Sequence, residues 1–347
     1  MAKSRVQKVV LEYQNLIPQA PESPQQLRGR ATGADDVTVR TWRETWLSNI
    51  RANKERFGSF ADHSCGKYFQ AYKYQPVICA GSGPSLKQNA AKLRDRKGLC
   101  LVSCLHNFHY FEDLDLEPEF YVSLDAGPVT IEEVTEGGTK TEEEYWERTK
   151  DRTLVAYIGT DPKLLERWRG DICFFNAPLP DLQLAREIDE IEKFNVFLSN
   201  GGNVLGGAVY FSKGILGASS IIFLGADFSF GYPDFDGDEP TQRFHSWKSK
   251  YDKKMGHTMR VTDIYGNKVH TWPSYYNFKA FFDWLAQQVP GEWINATEGG
   301  ILGAYPQGNI AQFKYMDLDD VYRYFQNSFE LEEQVLNPST DVKKILY

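Results

Sequence analysis

The chain has 347 residues, room for one large domain with extensions or for two modest ones. Its 41% apolar and 25% charged residues describe an ordinary globular protein, and a net charge of −8 argues against general nucleic-acid binding. No apolar stretch is long enough for a membrane span, and Met1-Ala-Lys-Ser-Arg5 does not read as a secretion signal. The expected location is therefore the cytoplasm, and Asn295-Ala-Thr297 is not taken as a glycosylation site. Five cysteines (Cys65, Cys79, Cys100, Cys104, Cys173) form no Cys-x-x-Cys pair and read as reduced core thiols.

Residues 1–62 read as an N-terminal helical extension. Val6, Val9, Leu11 and Tyr13 suit a short amphipathic helix, Pro18 to Pro24 a linker, and Trp42, Trp46, Ile50 and Phe57 recur at roughly helical spacing. The stretch Pro76-Val-Ile-Cys-Ala-Gly-Ser-Gly-Pro-Ser-Leu86 then gives a buried strand, a turn and a helix expected to run to Lys92. Gly81, Ser82, Gly83, Pro84 and Ser85 are candidates for an anion-binding turn: glycines allow close backbone approach, and a helix start offers free N–H groups. An ordinary strand-to-helix turn is the competing explanation. The spacing is neither a P-loop nor Gly-x-Gly-x-x-Gly, since Leu86 replaces the third glycine.

Further apolar runs at Gly98–Cys104, Glu119–Asp125, Leu154–Ile158, Ile172–Phe175 and Ser220–Asp227 read as strands, with a helix over Pro162–Trp168 and a small-residue helix from Gly201-Gly202-Asn203 to Leu216. Strands alternating with helices predict an α/β fold: a Rossmann-like, open, mostly parallel sheet with helices on both faces. Ligands of such sheets lie beyond the carboxyl ends of the strands. Gly81–Gly83, Asn107, Asp125, Gly201–Asn203 and Asp227 all fall at that edge, although each singly could be a cap or turn residue.

Glu132 to Lys150, with Glu142-Glu-Glu144, reads as a solvated excursion rather than a metal site. A second insertion, about 231–272, is a candidate lid with acids (Asp234, Asp236, Asp238), His245 and His257, and bases from Arg243 to Arg260. Calcium binding by its alternating acids is not expected, because the twelfth loop position is His245 rather than Glu. A helix over Tyr275–Gln288, a strand from Glu292 and a helix from about Leu318 to Leu331 close the chain.

Gly81-Ser-Gly-Pro-Ser-Leu86, Ser123-Leu-Asp125, Gly201-Gly-Asn-Val204 followed by Leu216-Gly217, Leu224-Gly-Ala-Asp-Phe-Ser229 and Asn295-Ala-Thr-Glu-Gly-Gly300 together resemble the MptE-like family, relatives of archaeal 6-hydroxymethylpterin diphosphokinase that include motility-associated Maf proteins. The resemblance covers about 75–303 and leaves 1–60 and the tail outside. A more distant likeness is to bacterial sialyltransferases that use CMP-activated sugars, through the same turn, Cys104 and Asn107, and a later histidine that His245 could match.

The resemblance implies a nucleotide-binding domain over 63–310, a helical tail over 311–347, and one of two reactions. In the first, diphosphate passes from ATP to a hydroxymethyl acceptor, with Mg²⁺ held by Asp125 and Asp227 and phosphates in the turn. In the second, a glycosyltransferase uses a CMP-nonulosonate-type sugar, with His245 as acid or base. A non-catalytic nucleotide-binding protein is the third expectation. The implied partners are a nucleotide and a small-molecule or glycan acceptor, and a homo-oligomer is compatible with each reading.

Overall fold

The structure is a computed structural model describing residues 24–96, 98–179, 181–231, 235–236, 239–240, 242 and 258–326, with the side chains of the first helix described from residue 38. Eight strands form one sheet: β1 (Pro76–Ala80), β2 (Cys100–Cys104), β3 (Phe120–Ser123), β4 (Thr153–Tyr157), β5 (Asp171–Phe175), β6 (Ser220–Leu224), β11 (Glu292–Asn295) and β12 (Phe313–Tyr315). A two-residue pair, β7 (Phe235–Asp236) and β8 (Glu239–Pro240), and a hairpin, β9 (Met259–Thr262) and β10 (Lys268–Thr271), lie outside it.

The spatial order is β12-β11-β6-β1-β2-β3-β4-β5, and every neighbouring pair is parallel. From β1 the chain steps outward to β5, then returns to the other flank of β1 for β6. The sheet is thus Rossmann-like and open, as its alternating pattern predicts. The connections leaving β1 and β6 diverge, and the carboxyl end of such a strand pair is where open α/β sheets place their ligands.

The sequence makes this sheet because its strands are apolar throughout. All residues of β1, β2, β3 and β6 are buried, the pattern of strands covered on both sides. On one face Cys79 meets Ser212, the Phe120 ring meets Phe211 at 5.0 Å, and Phe223 meets Phe282 at 5.4 Å. These contacts seat the helices Val204–Tyr210, continued by a π turn to Ile215, and Pro273–Gln288. On the opposite face Tyr121 packs on Phe108 and Trp168.

Three local expectations change. The stretch 132–150 is solvated only in part: helices Val129–Thr135 and Glu142–Arg148 flank a largely exposed turn at 136–141, and the second, started by a Thr141–Glu144 capping box, buries Tyr145 and Trp146. Its acids Glu142–Glu144 occupy the first helical turn, where the helix dipole favours them. The helix after β1 is only Leu86–Asn89, continued by a 3-10 segment Ala90–Asp95, and Pro84 precedes its cap, Ser85. The long helix Pro24–Phe57 is longer than its aromatic spacing indicates. All five cysteines are free and buried, and among the described residues no helix is long and apolar enough to cross a membrane.

Candidate functional site

At the carboxyl ends of β1 and β6 two loops are in contact. Gly83 N donates to the Gly225 carbonyl at 2.8 Å, and Gly81 N donates to Leu224 O at 2.8 Å. A Cβ on Gly81 would stand 2.6 Å from the Gly225 carbonyl oxygen, and one on Gly83 would stand 2.0 Å from Asp227 Oδ2. Glycine is therefore required at both positions by close approach, not by backbone angle.

Asp227 lies across the turn. Ser85 donates to it twice, from its amide to Oδ1 at 3.2 Å and from its hydroxyl to Oδ2 at 2.8 Å. The carboxyl is 4% exposed, and burial pushes it up to about 7 despite those two bonds, which pull the other way. A buried carboxyl near neutrality, fixed by a hydroxyl and an amide, is a proton donor or acceptor poised at working pH.

This arrangement alters the role of the turn. The amides of Gly81, Gly83, Ser85 and Leu86 all have protein acceptors, and Pro84 has no N–H. With an α-helix of only four residues behind it, the turn is not a preformed main-chain cradle. Ser82, exposed, is the turn residue whose donors have no protein partner among the described residues.

The other carboxyl-edge residues fall into place around it. Asn107 is buried, and its Nδ2 reaches Gly81 O at 3.1 Å, Ala80 O at 3.4 Å and Ser103 Oγ at 3.1 Å, so it braces the turn from beneath. Gly201 and Gly202 take φ of 55° and 84° under the rings of Phe281 and Phe278. They deliver Asn203 as the cap of the following helix, its Oδ1 accepting from Gly206 N at 3.0 Å. Leu205 of that helix lies 3.2 Å from where a Gly81 Cβ would be, so these residues border the turn.

After β11, Gly300 (φ 73°) packs on the Asp227 backbone, Ile301 N donates to Asp227 O at 2.8 Å, and Thr297 Oγ1 accepts from Ala226 N at 3.2 Å. Phe228 is held at φ 51°, an uncommon conformation for an aromatic residue, directly after Asp227.

Asp125 is elsewhere. It follows β3, three strand intervals from β6, or roughly 14 Å at about 4.8 Å per interval. The two acids expected to share Mg²⁺ are not brought together, and among the described residues no group of three or more His, Cys, Asp or Glu could hold a metal ion. The pair does not fit one bridging ion. Asp125 instead neighbours Glu133 and His106, and burial, followed by the Glu133 charge, pushes its carboxyl up to about 6.

The long N-terminal helix closes the far half of the same edge. Val39, Trp46, Ile50, Asn53 and Phe57 form one stripe at helical spacing. Asn49 donates to Ala126 O and Gly159 O, Asn53 donates to Ile158 O and Thr160 O at 2.9 Å each, and Trp46 meets the Tyr157 ring edge-on. This helix thereby caps the carboxyl ends of β3 and β4.

His245, and the acids and bases around it (Asp234, Asp238, Arg243, Lys248 to Lys254, His257), lie outside the described residues. Sequence reasoning missed the Ser85–Asp227 latch, the bracing asparagines Asn49 and Asn53, and the pairing of His106 with Glu133. Ser85 was legible as a turn residue, but nothing local announces a partner 142 positions away. Glu133 was concealed in a charge run.

One solved structure with a similar fold is that of the MAf glycosyltransferase from Magnetospirillum magneticum AMB-1, at 14% identity and a TM-score of 0.49, covering 78% of this chain and 38% of that one. The chain thus corresponds to well under half of that protein's length. A search of curated proteins gives no match. The family described as 6-hydroxymethylpterin diphosphokinase MptE-like matches residues 45–233, beginning inside the long helix and taking in the turn, Asp125, Asn203 and Asp227. Since the match spans more than half of its length, the chain belongs to the MptE-like family.

Proposed function

We propose that the chain is a nucleotide-dependent transferase whose donor binds at the carboxyl edge between β1 and β6. The observation that carries this is Asp227: a buried carboxyl pushed to about 7, latched to Ser85 of the β1 turn at the point where the strand order reverses. Family membership favours diphosphate transfer from ATP to the hydroxymethyl group of a pterin-like alcohol. Magnesium then arrives with the triphosphate as part of the substrate, and Ser82 offers its unused donors to a phosphate oxygen. Asp227 exchanges a proton at Oδ2 through the Ser85 hydroxyl, and the capped β3–β4 half of the edge limits entry of water.

The second reading is glycosyl transfer from a CMP-nonulosonate-type donor. It is favoured by the separation of Asp125 from Asp227, which leaves the protein's own acids arranged for proton transfer rather than for a shared ion. In either case a small-molecule or glycan hydroxyl is the acceptor.

The test is thermal-shift screening with ATP, CMP, and CMP- and UDP-sugars, with and without magnesium. It is followed by product analysis: AMP from ATP plus 6-hydroxymethyl-dihydropterin, or CMP from a CMP-sugar. AMP formation supports the first reading and CMP release the second. Nucleotide binding without either product would make the chain a non-catalytic nucleotide-binding protein, and no binding at all would refute the site.

A further inference from the structure

The carboxyl edge of β2 and β3 holds a cluster not used above. His106 sits in the turn Leu105–Asn107 after β2, Glu133 in the helix Val129–Thr135, and Asp125 just past β3. Nδ1 of His106 lies 3.5 Å from Glu133 Oε1, and the imidazole is 64% exposed while the glutamate side chain is 14% exposed. One ring nitrogen thus faces a shielded carboxylate, while Nε2 makes no hydrogen bond among the described residues. This is the geometry of an oriented acid–base imidazole. The next residue, Asn107, holds the Gly81 carbonyl, so His106 is one position from the group that braces the donor turn.

Three further titratable groups adjoin this pair. Asp125 approaches from β3, Cys104 ends β2, and His109 meets the Glu133 carbonyl at 3.2 Å. Glu133 raises the pKa of His106 above its ordinary value, against the effect of burial.

We propose that His106 exchanges a proton with the acceptor hydroxyl and that Glu133 orients its imidazole. The assignment rests on the transferase reading, holds for either donor, and places on a described residue the role the sequence suggested for His245. The acceptor O–H bond breaks with its proton passing to Nε2. The acceptor oxygen forms a bond to the donor phosphorus or anomeric carbon, and the bond from that atom to the departing phosphate oxygen breaks, leaving its electron pair on the phosphate.

The experiment compares full-length wild type, H106N and E133Q for transfer to the acceptor across pH 5–9, with nucleotide affinity measured by calorimetry. H106N is expected to lose at least about 100-fold in kcat with donor affinity unchanged within about twofold. E133Q retains part of the activity, and its acid limb moves to lower pH, because removing the carboxylate lowers the pKa of an imidazole that must be deprotonated to act. Wild-type kcat in H106N, or a collapse in donor affinity and folding with it, would overturn the assignment while leaving the transferase reading intact. An unmoved acid limb in E133Q would overturn the role of Glu133. A wild-type protein that neither binds nucleotide nor turns over would overturn both readings together.

Discussion

Replacing Asp227 by asparagine isolates the protonation of the buried carboxyl. In the unfolded chain an aspartate titrates near 3.8, whereas in the fold this one titrates near 7. Folding therefore favours the protonated form. Stability is fullest below about pH 4, falls as pH rises toward 7, and levels off above it. At 1.36 kcal/mol per pH unit the interval corresponds to roughly 4 kcal/mol, which water entry and side-chain rearrangement reduce to about 2–4 kcal/mol. Asparagine has the same shape and no proton to lose. Its Nδ2 can donate to the Ser85 hydroxyl, and its oxygen can accept from the Ser85 amide.

Urea unfolding of wild type and D227N at pH 4.5, 5.5, 6.5 and 7.5 reads the difference directly, and Asp125, common to both proteins, cancels. D227N should gain on wild type by about 1.5–3 kcal/mol between the lowest and highest pH, the part of the titration that this range covers. A stability difference that stays constant with pH would refute the account of Asp227 as a desolvated acid, and with it the main support for the proposed site.

Gly83→Ala places a methyl 2.0 Å from Asp227 Oδ2 and 2.7 Å from the Gly225 carbonyl, so rotation of Asp227 alone cannot relieve it. A loss of about 2–4 kcal/mol by denaturant titration is expected, only partly restored in G83A/D227A. Gly300→Ala combines φ 73° with a Cβ 2.4 Å from the Asp227 Cα, and a fall in stability of about 2 kcal/mol or more should appear as a lower Tm. Asn53→Ala leaves the carbonyls of Ile158 and Thr160 without the donors they now share, at a cost of about 2–4 kcal/mol in the same titration. Asp283→Ala strands the fully buried Lys279, now paired at 2.6 Å, and should cost about 3–5 kcal/mol, recovered in good part by adding Lys279→Met.

The sheet was legible because its strands are continuous apolar runs, a signal that survives without any knowledge of partners. β1 to β6 coincide, to within three residues at either end, with the apolar runs Val77–Ala80, Gly98–Cys104, Glu119–Asp125, Leu154–Ile158, Ile172–Phe175 and Ser220–Asp227. The carboxyl-edge rule likewise collected Gly81, Asn107, Asp125, Asn203 and Asp227 onto one rim. The helices at Val129–Thr135 and Glu142–Arg148 were concealed because their polar faces dominate the composition, and Tyr145 and Trp146 are too few to set a period. The turn after β1 was read as a phosphate cradle because glycine and proline report where a backbone bends but not which acceptors its amides meet.

The residues by themselves determined that a parallel α/β sheet forms and which side chains line its carboxyl edge, because strand hydrophobicity and glycine positions are local properties. Only the tertiary structure decided that Asp227 crosses to Ser85, that Asp125 stands three strands away beside Glu133 and His106, and that the N-terminal helix caps one half of the edge. Those facts follow from strand order and from contacts between residues up to 142 positions apart, and chain order does not encode which strand lies next to which.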